Sequence, residues 1–304
     1  MDRMKHLQLA GKSWKHNWSG LLERILPACH RAECKYERSV LSHIWRRPRG
    51  IHLQGAWYCR PACLERALVE ELRQLQPARA SSPPAVHRVP LGLLLLSRQQ
   101  LTAEQLVAAL NAQRNAGCGR LGEWLQTLGF ANEAQITAAL ARQWSCPLLR
   151  DPDALPAKTL PEIPSRLLES FHMLPVNYVE ATATLHIAFS DAIDYSLLYA
   201  IERMLDCHTE PCFVSPGWLQ KNLRIPFVDR TSCEVVFDRV ADNHESARII
   251  RSYAMKLDVP EVRMVVCGRY IWVRLKPAFR AAVDLLLSSV SDPAPNLFHF
   301  SEQP

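Results

Sequence analysis

Apolar residues recur at helical spacing twice over in the middle of the chain. The stretches Pro90 to Gln113 and Arg120 to Gln143 match at a constant offset of 30. Leu91 and Gly92 align with Leu121 and Gly122, Leu95 with Leu125, Leu106 with Ile136, Leu110 with Leu140, and Gln113 with Gln143. So many ungapped matches read as an internal duplication. Each copy is predicted to form a short helix, a turn and a longer helix. Thr102-Ala-Glu-Gln105 and Asn132-Glu-Ala-Gln135 are capping boxes at the same repeat position. Gly129 falls where the first helix of the second copy must end, the left-handed position that glycine fills without strain. In the first copy that place belongs to Gln99, which carries a conformational cost if the geometry is kept.

The flanks follow other periods. Gly55-Ala-Trp-Tyr-Cys59 reads as a strand, and Cys63 to Leu75 as an amphipathic helix with Leu64, Leu68, Leu72 and Leu75 on one face. Near the end, Cys233 to Val240 alternates as a strand and His244 to Leu257 repeats at helical spacing. Val262 to Cys267 and Tyr270 to Leu275 flank Gly268-Arg269, a two-residue hairpin turn. Gln76 to Val86, rich in Pro, Ser and Ala, reads as a linker. The segment after Ser291 reads as a frayed tail.

Composition narrows the class. Apolar residues make up 48% of 304, enough for real cores, which excludes a wholly disordered chain. No apolar run approaches a membrane span of roughly 18 residues, and the first residues lack a signal-peptide pattern. A cytoplasmic protein without membrane insertion is the expectation. The net charge of +6 is unevenly placed. Residues 1–90 hold 16 Lys/Arg against 7 Asp/Glu, whereas the remainder holds 20 against 23. The positive charge therefore belongs to the N-terminal module.

That module carries four of the ten cysteines. Cys29, Cys34, Cys59 and Cys63 form two close pairs separated by a longer excursion, the spacing that suits a tetrahedral structural zinc. A second pair that leads straight into a helix resembles treble-clef zinc fingers. Four reduced thiols without metal are the alternative, and His30, His43 or His52 could replace one cysteine. A module of this size gains from a metal staple. Trp14, Trp18, Trp45 and Trp57, with Arg46-Arg47-Pro48-Arg49, also admit nucleic-acid binding. A solvated basic face around a structural metal is favoured, because no base-reading motif is present. Gly11-Lys12-Ser13 is not a P-loop: its upstream glycine is missing, with His6 in that place, and no strand precedes it.

The doubled pattern R-L-G-x2-L-x3-G-x6-L-x3-L-x2-Q resembles the MshEN type of N-terminal domain found on type II secretion and type IV pilus assembly ATPases, the GspE/PulE class. Residues 163–215 are similar to the α/β second half of that domain. The resemblance places strands at Leu174 to Val176, Leu185 to Ala188 and Glu210 to Val214, a helix at Leu197 to Leu205, and a turn carrying Asp191 and Asp194. Those two carboxylates read as helix caps. The resemblance covers about residues 88–220 and implies cyclic di-GMP binding. The implied nucleotide site comprises Leu91, Gly92, Leu95, Leu106, Leu110 and Gln113 in the first copy. In the second it comprises Arg120, Leu121, Gly122, Leu125, Gly129, Ile136, Leu140 and Gln143. The first copy departs from the pattern, with Pro90 in place of arginine and Gln99 in place of glycine. Arg88, two residues upstream, is the candidate substitute.

No Walker motif follows residue 219, so the motor of that family is absent and no enzymatic activity is expected. The fold class is multidomain α+β. It comprises a basic zinc-finger-like module over 1–75, a linker over 76–87 and a secretion-ATPase N-terminal-like domain over 88–225. A small α+β domain over 226–290 and a tail over 291–304 complete it. The functional expectation is a regulator or adaptor that binds cyclic di-GMP, docks to a secretion or pilus system, or both. The alternatives are a pure interaction adaptor with a degenerate nucleotide site, and a nucleic-acid-binding regulator acting through the N-terminal module.

Overall fold

The duplicated pattern becomes four helices in the computed structural model, which describes residues 28–34, 50–80, 88–149, 160–224 and 233–289, with the backbone alone for 76–80. The chain divides into two units: Met1–Ala78 with Val235–Met264 and Tyr270–Asp292, and Arg79–Glu234 with Val265–Arg269 and Pro293–Pro304. The architecture is mixed α+β with two sheets. Among the described residues no helix is long and apolar enough to cross a membrane.

The first unit begins with a hairpin of β1 (Ile51–Leu53) and β2 (Ala56–Tyr58), followed by helix α1 (Pro61–Ala80). Gln54 and Gly55 both have positive φ, as a tight two-residue hairpin turn requires. Pro61 opens α1, where its missing N–H costs nothing. The helix runs to Ala80, past the expected end at Leu75 and into the stretch read as linker.

The same unit contains four strands and one helix from the far end of the chain. In order these are β6 (Cys233–Val240), helix α9 (Asn243–Lys256), β7 (Glu261–Cys267), β8 (Tyr270–Leu275) and β9 (Val283–Ser289). They join the N-terminal hairpin in one six-stranded sheet of order β2-β1-β7-β8-β9-β6. His52 and Leu53 pair in parallel with Glu261 and Val262. One core then forms from Leu64, Leu68 and Leu72 of α1, Ile250 and Ala254 of α9, and Val262, Ile271 and Leu285 of the strands. The sequence separates residues 1–75 from 226–290; in the structure the two segments share a sheet and a core.

Strand β9 is absent from the sequence reading. It lies between β8 and β6, so both edges are paired, and consecutive Leu285, Leu286 and Leu287 form a run buried on both faces. Alternation, the usual mark of a strand, is lost there. Asp284, just before the run, is 1% exposed. It accepts from Trp272 Nε1 at 2.8 Å, from Arg274 Nε at 2.8 Å and from Arg274 Nη2 at 2.7 Å.

The second unit opens with the repeats: α2 (Leu91–Ser97) and α3 (Ala103–Ala116), then α4 (Leu121–Thr127) and α5 (Glu133–Gln143). Packing is reciprocal. Helix α2 of the first copy lies on α5 of the second, and α3 lies on α4. Gln113 donates to the carbonyl of Gly119 at 2.9 Å, and Gln143 donates to that of Val89 at 2.7 Å. Residues 89 and 119 are themselves one offset apart, so the two bonds are the same bond made twice. Both capping boxes form, with Gln105 N–H on Thr102 at 3.2 Å and Gln135 N–H on Asn132 at 2.9 Å.

The first helix of each copy also ends alike. Gln100 N–H reaches the Leu95 carbonyl at 3.0 Å, and Phe130 N–H reaches Leu125 at 2.9 Å. The residue before each is left-handed: Gln99 at φ 54° and Gly129 at φ 69°. Only glycine adopts that conformation freely. Gln99→Gly is therefore expected to raise the stability of the second unit by about 1 kcal/mol. A urea titration reads this as a higher midpoint, and a lower midpoint would refute it.

The α/β half completes the unit. It contains α6 (Ser165–Ser170), β3 (Met173–Val179), β4 (Thr184–Phe189), α7 (Tyr195–Leu205), β5 (His208–Phe213) and α8 (Pro216–Leu223). The sheet has order β3-β4-β5, with β3 antiparallel and β5 parallel to β4. Parallel strands need a crossover, and α7 supplies it. Glu133, at the start of α5, accepts from Gly217 N–H at 2.8 Å. Leu149 N–H donates to the Phe213 carbonyl at 2.8 Å. These bonds tie the repeats to the α/β half.

Candidate functional site

Two places concentrate chemistry, one in each unit. In the first unit, Cys29 and Cys34 lie on a turn closed by Cys34 N–H on the Arg31 carbonyl, 3.1 Å, and held to β2 by His30 N–H on the Trp57 carbonyl, 2.9 Å. Cys59 follows β2 directly. Cys63 stands in the first turn of α1 with its N–H on the Arg60 carbonyl, 3.0 Å. The hairpin and helix thus bring together two cysteine pairs that are far apart in sequence.

All four sulfurs lie within 4.8 Å of one another. The Cys34–Cys59, Cys34–Cys63 and Cys59–Cys63 separations are 3.4, 3.7 and 4.0 Å. Sulfurs held about 2.3 Å from a tetrahedral zinc stand about 3.8 Å apart. The donor set and its spacing are consistent with a zinc-finger-like metal cluster. Without a cation, burial and then hydrogen bonding from Cys34 push the Cys59 thiol far above its ordinary value, and burial raises Cys63 likewise. A divalent ion reverses that preference, because only thiolates ligate.

Among the described residues, the alternatives His30 and His52 stand apart from the cluster. His30 packs edge-on against Tyr58 at 6.2 Å, and His52 Nδ1 lies 3.5 Å from the Gly55 carbonyl. His43, Trp14, Trp18, Trp45 and the cluster from Arg46 to Arg49 fall outside the described residues. Trp57 is buried. Cys207 and Cys212 are interior thiols, pushed up to about 11 and about 12 mainly by burial. The Cys212 sulfur faces the Ile187 carbonyl at 3.7 Å.

In the second unit the motif residues fall into two groups. Leu95 and Leu125 are fully buried and Ile136 nearly so, with Leu91, Leu106, Leu121 and Leu140 packed against them. These side chains hold the helices together; Leu95 and Leu125 present no surface to a ligand. Gly92 serves the same packing: a Cβ there would stand 2.7 Å from Leu106 Cδ1. The second group is accessible. Leu110 and Gln113 are half-buried, and Gly129 is exposed. Gln113 and Gln143 are both bonded to backbone, as described above.

Arg120 lies exposed at the N-terminus of α4 and pairs with Asp191, on the turn between β4 and α7. Asp191 is not a helix cap. Asp194 is, accepting from Ser196 N–H at 2.9 Å and Leu197 N–H at 3.2 Å. Arg88 stacks on Trp144, its Cζ 3.3 Å from the ring centroid. Trp144 in turn lies 6.2 Å from the ring of Tyr195, the first residue of α7. Trp144 and Tyr195 escaped the sequence reading because neither belongs to the repeated pattern.

No protein-family model matches the chain, and no curated protein matches it. Solved structures do. A structure of MshE with cdg is 32% identical, covers 45% of this chain and 97% of its own, and has a TM-score of 0.39. Two structures of the N-terminal domain of XpsE are 22% identical, cover 44% and 45% of this chain and 90% and 97% of theirs, and have TM-scores of 0.33 and 0.28. The similarity is remote and spans under half of this chain.

Proposed function

We propose that this is a non-enzymatic, cytoplasmic regulatory or adaptor protein of a type II secretion or type IV pilus system. Its central region, residues 88–225, binds cyclic di-GMP, and its four-cysteine cluster holds one structural zinc. The observation that carries the nucleotide reading is the complete second motif, with Arg120 exposed at the helix start and within reach of the turn that carries Asp191. A guanidinium in that setting pairs bidentately with a phosphate or a guanine edge. The likeness to MshE with cdg agrees with this reading.

Calorimetry with cyclic di-GMP on the full chain tests it. Saturable binding is expected, and Arg120→Ala is expected to weaken it about tenfold to hundredfold. No heat with ligand in large excess over micromolar protein would remove the nucleotide reading.

A second reading has its own support. Leu95, Leu125 and Gly92 are accounted for by helix packing alone. A repeat kept only for packing makes the protein a pure interaction adaptor. That version predicts no nucleotide binding and co-purification with secretion or pilus assembly components.

A further inference from the structure

The loop that joins β8 to β9, residues 276–282, carries an apolar tip. Phe279 is 100% exposed, whereas the next most exposed large apolar side chain among the described residues, Tyr199, is 62% exposed. The ring therefore leaves its whole apolar surface in water, an unfavourable arrangement. The base of the loop is fixed. Leu275 pairs with Val283 across its mouth, and Pro277, its φ locked by its own ring, is buried. The flanks are cationic: Lys276 and Arg280 are exposed, one on each side of the tip, and the loop contains no carboxylate. Among the described residues neither makes an ion pair.

The topology brings more of the same chemistry to that end of the sheet. Strands β1 and β7 begin there together, because His52 pairs in parallel with Glu261. Strand β8 returns along β7 through the turn at Gly268-Arg269 and ends there. Helix α9 packs on β8 and brings Met255, 45% exposed, and exposed Lys256 to the same end. Strand β2 runs back along β1 and leads to exposed Arg60. Of the carboxylates described there, Glu33 is taken up by Arg31 and Glu261 by Arg263, which leaves Asp258. Cations thus outnumber free carboxylates around two protruding apolar side chains. The field of the whole first unit has the same sign, with 22 Lys/Arg against 14 Asp/Glu.

A convex apolar tip between cations is the inverse of a ligand pocket. It matches a soft surface that is anionic outside and apolar beneath, where apolar side chains lie at headgroup level and Lys or Arg meets the lipid phosphates. A nucleic acid would use the cations and the ring, but has no use for Met255. We infer that this end of the first unit docks peripherally on an anionic phospholipid bilayer, with Phe279 entering the headgroup layer and Lys276 and Arg280 on the phosphates. Docking of this kind requires no membrane-spanning helix and is reversible. The inference is independent of the nucleotide reading.

Co-sedimentation of the full chain with vesicles tests it. Vesicles of equal parts phosphatidylglycerol and phosphatidylcholine are expected to carry the chain down, those of phosphatidylcholine alone are not, and added salt weakens the binding. Phe279→Ala weakens it about tenfold, and Lys276→Gln and Arg280→Gln about fivefold each. Phe279→Leu keeps most of the affinity, because headgroup insertion needs apolar surface rather than a ring. Binding undiminished in Phe279→Ala assigns the vesicle affinity to charge elsewhere and overturns the inference. Equal losses in Phe279→Leu and Phe279→Ala, with Phe279→Tyr unchanged, mark a stacking ring instead; this also overturns it and points to a nucleic-acid surface. A wild-type chain that stays in solution with the anionic vesicles overturns it outright.

Discussion

Cys59→Ser, or withdrawal of the metal by a strong chelator, is expected to melt the N-terminal hairpin and the C-terminal strands together. The cluster holds the end of β2 against the first turn of α1. Strand β2 pairs with β1, which pairs with β7, and α1 contributes Leu64, Leu68 and Leu72 to the core shared with Ile250 and Leu285. Structural zinc sites contribute an apparent 10–16 kcal/mol, roughly the whole stability of a domain. Elemental analysis should find about one zinc per chain. Thermal melts followed by circular dichroism should show the first unit lost on chelation and the second unit retained. Acid should act in the same direction, because each ligand must lose its proton and the burial of Cys59 and Cys63 favours the protonated thiol. A metal-free protein whose melt is indifferent to chelator would discard the site.

Asp284→Ala is expected to cost about 3–5 kcal/mol. The carboxylate is 1% exposed, takes both arms of Arg274 and also accepts from Trp272. The Arg274 side chain is itself only 13% exposed, so its charge would lose a bidentate carboxylate with little water to take its place. Replacing both partners by apolar residues of similar volume should cost less than the single change, because no orphaned charge remains. Guanidinium titrations of the single and double variants measure the difference. A single-variant loss under about 1 kcal/mol would place the pair in the solvent-screened class.

What the sequence displayed was local. The capping boxes at Thr102 and Asn132, the left-handed Gln99 and the cysteine spacing each depend on residues a few positions apart, and each has its expected geometry. What it concealed was long-range. Nothing near His52 announces Glu261 as a neighbour, so the union of the two chain ends in one sheet lies beyond any periodicity. Strand β9 was hidden because burial on both faces erases alternation. The resemblance placed Leu95 and Leu125 in the implied nucleotide site, and the repeat pattern could not say whether they meet a ligand or the other repeat. Trp144 lay outside the repeat and became visible only through Arg88.

The reciprocal bonds of Gln113 and Gln143 carry a further consequence. Each copy of the motif sends its first helix to the second helix of the other, so one copy by itself is half a fold. A chain bearing a single copy would have to find its complement on another molecule, and its folding would then depend on concentration. Joining two copies in one chain makes that encounter intramolecular, at an effective concentration set by the short connection between Ala116 and Arg120. The repeat is in this sense a dimer that dilution can no longer dissociate.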